Sequence, residues 1–267
     1  MKPQYDIPNN LNLLLSTLLI LENCFVLFAL PWLTNSTAVI LVVLLLDIIA
    51  IRITNIHWHL THEALHGMLV KNRRLNEWLG ITFGALLFSS FSIARYGHLA
   101  HHRNNRFADT QEVYYKEGKP NTLYYYFEIL GGFFILYEFL LIPLAWGPIS
   151  LVQKIIQRKI DKRAGQHDQA LYTDLKKIID TPRAVKLVKK ETIFLLIALA
   201  LSIYSYGAHW VIWLCYFFIR ALFISYLNNM PHYKNSIQTD INASDTAYLP
   251  KLLTRCYLNF NYHRTHH

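Results

Sequence analysis

Three short histidine clusters dominate the chemistry this sequence can do: His62 and His66 in HEALH, His98, His101 and His102 in HLAHH, and His263, His266 and His267 in HRTHH. Together they hold eight of the 13 histidines, and the last two share the pattern H-x-x-H-H. Neutral imidazole binds zinc, copper, iron and nickel. A catalytic zinc takes about three protein ligands and keeps a fourth position open, so eight clustered rings exceed the needs of one ion and point to a two-metal centre. His62 and His66, four residues apart, share one face of a helix and can grip a single ion; His59 lies near that face and His57 does not. In each H-x-x-H-H box the first histidine stands beside both later ones at helical spacing. The adjacent pair diverges by about 100°, as rings serving different ions would.

The elements that must position these boxes are apolar. The chain has 267 residues, of which 53% are hydrophobic and 16% charged, with a mean hydropathy of +0.21. A soluble domain carries roughly 25% charged residues. Runs at 11–33, 38–56 and 193–227 each reach the roughly 20 residues that cross a bilayer core, and the third makes two helices if the chain turns near Tyr206-Gly207-Ala208. Box one is expected on a continuation of the second helix beyond the lipid. Segments 78–94 and 124–149, interrupted by Gly, Ser, Pro and Glu, read as interfacial or re-entrant. A cleaved signal peptide is not expected, because the first run is long and lacks a basic start and a small-residue cleavage site.

Charge gives the orientation. The net charge is +9, and much of it lies in one stretch with Lys154, Arg158, Lys159, Lys162, Arg163, Lys176, Lys177, Arg183, Lys186, Lys189 and Lys190. The turns at 34–36 and 207–208 carry no Lys or Arg. An excess of Lys and Arg marks the cytoplasmic side, so the positive charge reads as an orientation signal, not as nucleic-acid binding. All three boxes can reach one site only if they emerge on one face. Hydropathy, charge and ligand geometry then agree on an all-α, multi-pass integral membrane protein. It has four transmembrane helices in two hairpins, interfacial helices, both termini inside and a histidine-rich di-metal site on the cytoplasmic face, with residues 1–267 as a single domain. Cys24, Cys215 and Cys256 form no pair with metal-ligand spacing.

HEALH also matches H-E-x-x-H, the zinc-protease helix with Glu63 as general base, but that reading leaves two boxes without a role. A bis-histidine haem protein places paired histidines within its spans rather than adjacent pairs at their ends. HEALHG, followed by KNRRLNEWLG, then GHLAHHRNNR and a late NYHRTHH, resembles the membrane fatty acid desaturase and hydroxylase superfamily, in order from about His57 to the C-terminus. The resemblance implies a non-haem di-iron centre that uses O2 and two electrons to desaturate or hydroxylate an unactivated carbon of a lipid chain. It assigns His62, His66, His98, His101, His102, His263, His266 and His267 as iron ligands. In acyl-CoA desaturases of this superfamily a further histidine near the end of the last span is a ligand, and an Asn four residues before it holds a metal-bound water. His232 and Asn228 in NNMPH have that spacing.

Glu63, Asp109 and Glu112 lie beside the boxes and can accept the second ring N–H of a ligand, orienting it. His57, His59, His167 and His209 fall outside the family pattern. Lys71, Arg73, Arg74, Arg103 and Arg106 flank the metal face and suit either an anionic head group or membrane anchoring. The expected activity is O2-dependent desaturation of a fatty acyl chain. The alternatives are a lipid or carotenoid hydroxylase or ketolase using the same centre, the HEALH zinc protease, and an inactive metal-binding membrane protein. The expected partners are the bilayer, a fatty acyl lipid substrate and a separate electron donor such as ferredoxin or cytochrome b5, because no fused donor domain is visible. Family members usually continue past the last box with a short proline-containing segment, so the chain ending at His267 is expected to lack it.

Overall fold

The computed structural model describes residues 7–104, 115–116, 119–120, 123, 146–162, 169–229, 246 and 248–257. Helices α1 (Asn9–Leu33) and α2 (Thr37–Arg52) come first. They are followed by α3 (Ile56–Leu65), α4 (Arg73–Leu87), α5 (Phe91–Asn104), α6 (Ile149–Lys162), α7 (Gln169–Ile179), α8 (Pro182–Tyr206), α9 (Trp210–Asn229) and α10 (Lys251–Cys256). Strands β1 (Tyr115–Lys116) and β2 (Lys119–Pro120) form one short antiparallel pair, the sole departure from an all-helical fold among the described residues. Two stretches, α1 and Pro182–Tyr226, are long and apolar enough to cross a membrane. There are up to four if the bent pairs α2–α3 and α4–α5 each count as one span.

The described residues cluster into two compact units. The first comprises Met1–Arg95 and Glu191–Phe217. Its helices turn leucine, isoleucine and valine outward, among them Leu14, Leu21, Val42, Leu46, Ile197 and Leu201. So much apolar surface on neighbouring helices is the signature of helices meant for lipid rather than water.

Inside this unit lies a buried ionic network that composition alone does not reveal. Both α1 and α2 contain a π turn, at Phe25–Ala29 and Ile48–Arg52. Residues five apart on a regular α-helix point about 140° away from each other, and a π turn closes that angle. Arg52 therefore folds back onto Asp47, with Nε 2.8 Å from Oδ2, while its Nη2 donates to Glu22 of α1. The Tyr216 hydroxyl of α9 accepts from Arg52 Nε at 3.0 Å and donates to Asp47. One guanidinium, 4% exposed, thus ties three apolar helices together.

Residues 193–227 reverse direction, as their length requires. Trp213 Nε1 donates to Ser202 Oγ at 2.6 Å across eleven residues, a separation of about 16 Å along a continuous helix. The reversal falls at Gly207, whose φ of +46° favours glycine. Ser202 and Tyr206 donate to the Leu27 and Val26 carbonyls in the π turn of α1. Trp32, just before the α1–α2 turn, bonds Ser205, just before the Gly207 turn, so the two turns share one end of the unit. At the other end Asn9 and Asn12 of α1 hold the backbone at Lys71 and Leu69 beside box one.

Box one does not continue α2. Asn55 adopts a left-handed conformation with φ 52°, and α3 leaves α2 at a bend of 46°. Asn72 caps α4, its Oδ1 accepting from Arg74 and Leu75 N–H. Phe88, with φ 60°, ends it, and α5 departs at 102°, which rules out a straight span over 78–94. From α8, the buried Glu191 accepts from Ser90 Oγ, Ser92 Oγ and Ser92 N–H, capping the start of α5 from outside its own helix. At the elbow a Cβ on Gly80 would come within 2.3 Å of the Phe91 ring. Gly80→Ala is expected to cost about 1–3 kcal/mol by overpacking, seen as a lower melting temperature in detergent.

The second unit comprises Tyr96–Lys190 and Phe218–His267. Within the basic stretch, α6 buries Val152 and Ile156, and Gln153 bonds Asp180 just past α7. Lys176 pairs with Asp180 at 2.6 Å, and this holds the exposed Asp180 carboxyl below its usual range.

Candidate metal centre

Box one is presented at the C-terminal end of α3. His62 and His66 lie one turn apart with ring centroids 4.8 Å apart. His62 is 1% exposed and His66 is half-buried. Gly67 terminates the helix at φ +74°; its N–H bonds Ala64 O, and Met68 N–H reaches back to Glu63 O. This is the paired-bond ending that a glycine in left-handed conformation makes, and it explains the glycine of HEALHG. Burial, and then the positive charge of Arg95, lowers the proton affinity of His66 below its ordinary value. That favours the neutral imidazole, the form that binds metals.

Box two lies on α5, which runs unbroken through Arg95 and Tyr96. His98 and His102 sit one turn apart, ring centroids 4.5 Å apart, with their Nε2 atoms at 2.9 Å. One ring nitrogen from each of His62, His66, His98 and His102 lies within 4.8 Å of the others. Metal–nitrogen bonds of about 2.1 Å put neighbouring octahedral ligands about 3.0 Å apart and opposite ones about 4.2 Å apart. The His98–His102 separation matches a neighbouring pair, and the widest spacing closes with a shift of a few tenths of an ångström per ring. The donors are all imidazole, the set for a transition metal rather than for calcium or magnesium. The residues fit a metal centre.

The other candidates are placed as follows. His101 belongs to α5, and its side chain lies outside the described residues, as does that of Asn228 on α9. Asp109, Glu112, His232, His263, His266 and His267 also lie outside them. Glu63 Oε1 is 3.6 Å from His62 Nδ1, longer than a hydrogen bond. His57 and His59 are buried on α3 outside the four-histidine group, with His57 Nε2 3.3 Å from Phe83 O. His209 stands at the Gly207 turn, remote in sequence from the boxes. A single-motif protease needs one ligand beyond the HEALH pair, whereas here two histidines of box two join that pair. Sequence reasoning missed the anchors that aim the boxes, namely Asn76, Glu77, Arg95 and Glu191; each is an ordinary polar residue whose partners are distant in the chain.

No curated protein and no solved structure gives a significant match to this chain. The family model described as "Fatty acid desaturase" matches residues 35–267, a span that contains all three histidine boxes and every helix from α2 onward. With two of those boxes converging at metal-binding distance, the chain belongs to the fatty acid desaturase family.

Proposed function

We propose that the protein is a membrane-bound, O2-dependent di-iron desaturase that introduces a double bond into a fatty acyl chain. The observation that carries this reading is the four-histidine group of His62, His66, His98 and His102, in a chain of the desaturase family. His101, His232, His263, His266 and His267 complete the ligand set, with Asn228, Asp109 and Glu112 orienting it. Four spans in two hairpins place this set on the cytoplasmic face. The shared end of the Trp32–Ser205 turns and the opposite placement of box one support that arrangement.

In the overall reaction a CH2–CH2 unit gives up two hydrogens. O2 takes up those two hydrogens together with two electrons from a separate donor and two protons, and leaves as two waters. When bound, a pair of irons would supply the O2-dependent oxidising power that no side chain has. The chain's own residues do the rest. The helical spacing of His62 with His66 and of His98 with His102 aims their rings at one point. The burial of His62 and the depressed proton affinity of His66 keep neutral nitrogen available. Buried Leu65 and Leu69 flank box one and keep water out. Elemental analysis of the full-length protein should find about two irons per chain. One zinc together with proteolytic activity would instead support the HEALH protease.

A further inference from the structure

We infer that Arg95 is the positioning residue that sets the spacing between the His62/His66 pair and the His98/His102 pair; this rests on the metal reading above. Arg95 lies on α5 three residues before His98 and seven before His102, so all three share one helix face. Its guanidinium reaches back to the end of box one: Nε donates to Leu65 O at 2.9 Å and Nη2 to Ala64 O at 2.9 Å. These carbonyls belong to the last turn of α3, where helical partners run out and the helix dipole is negative. From the other side of the same plane, Nη1 donates to Glu77 of α4 at 2.6 Å. The Phe91 ring supports the group, 4.7 Å from Cζ to the ring centroid. One planar cation therefore joins the C-terminus of the helix bearing box one to the helix bearing box two, and braces both on α4.

The planarity matters as much as the charge. Two adjacent donors on one edge of the fork meet two successive carbonyls, which fixes the direction of α5 against α3 as well as their distance. A lysine ammonium is a point charge on a flexible stem and cannot hold that direction. Loss of groups that orient metal ligands typically weakens metal binding about 10- to 100-fold.

The surrounding structure lets this role be separated from stability. Without Arg95, Ala64 O still accepts from Asn76 Nδ2 at 2.9 Å and from Gly67 N–H. Glu191 still caps the start of α5. The helices stay folded while the spacing between the two histidine pairs loosens.

The test uses full-length apo protein in detergent, titrated with Co(II) and followed by its ligand-field absorption, with apo melting temperatures measured alongside. Arg95→Lys and Arg95→Met should weaken Co(II) binding about tenfold or more and alter the absorption band, at nearly unchanged melting temperature. Glu77→Gln, which keeps an acceptor for Nη1, should bind Co(II) within about threefold of wild type, since it leaves both carbonyl bonds in place. Arg95→Lys with wild-type affinity and spectrum would overturn the inference, and so would a loss of affinity that only tracks a loss of folded protein. A wild-type chain that binds no Co(II) would overturn the metal reading itself, before Arg95 enters.

Discussion

Replacing His98 with alanine should abolish product formation and leave the chain largely free of iron, while the apo protein stays folded. His98 supplies one of four imidazoles whose ring nitrogens lie within 4.8 Å of one another, and its Nε2 is 2.9 Å from that of His102. Losing a group that merely orients a ligand costs about 10- to 100-fold in metal affinity, so losing a ligand should cost at least that much. The stability of the apo fold should change by only about 1 kcal/mol or less, because the ring is not in a fully buried position. His209→Ala, at the distant Gly207 turn, should keep both iron and activity. Iron content, melting temperature and turnover of the two variants measure this directly. Full iron occupancy in His98→Ala would remove box two from the site.

Arg52→Met should destabilise the fold more than any other single change considered, by about 3–5 kcal/mol. It strands the Asp47 and Glu22 carboxylates among apolar helices with their cation gone. Tyr216 can offer Asp47 one hydroxyl, which does not replace a guanidinium. The sharper check is the triple variant Glu22→Leu, Asp47→Leu, Arg52→Met. Replacing a whole buried ion cluster with apolar residues is often neutral or stabilising, so the triple variant should recover most of the loss. Reversible unfolding in mixed micelles gives the comparison. A single variant within about 1 kcal/mol of wild type would mean that the network does not hold these helices together.

The sequence exposed some of these features and hid others, for physical reasons. Metal ligation needs a particular side chain at a particular spacing, so His62, His66, His98 and His102 could be read from the chain and are found together. The reversal at Gly207 was legible from an apolar run too long for one span. The bend between α2 and α3 was not, because it depends on Asn55 adopting a left-handed backbone conformation that apolar periodicity does not report. The Asp47–Arg52 pairing was hidden by the π turn, since regular helical spacing sets these residues on different faces. Arg95, Glu77 and Glu191 act through partners on other helices, and no local pattern encodes those partners.

The most direct measurement is the mass of acyl chains recovered from membranes of cells that express the full-length protein with an electron-donating reductase. The same measurement on cells carrying His98→Ala supplies the baseline. The expected result is a set of chains that have lost two hydrogens and gained a double bond, present with the wild type and missing with the variant. Chains or carotenoids that have gained an oxygen, or a lipid profile identical to that of His98→Ala, would contradict desaturation at this centre.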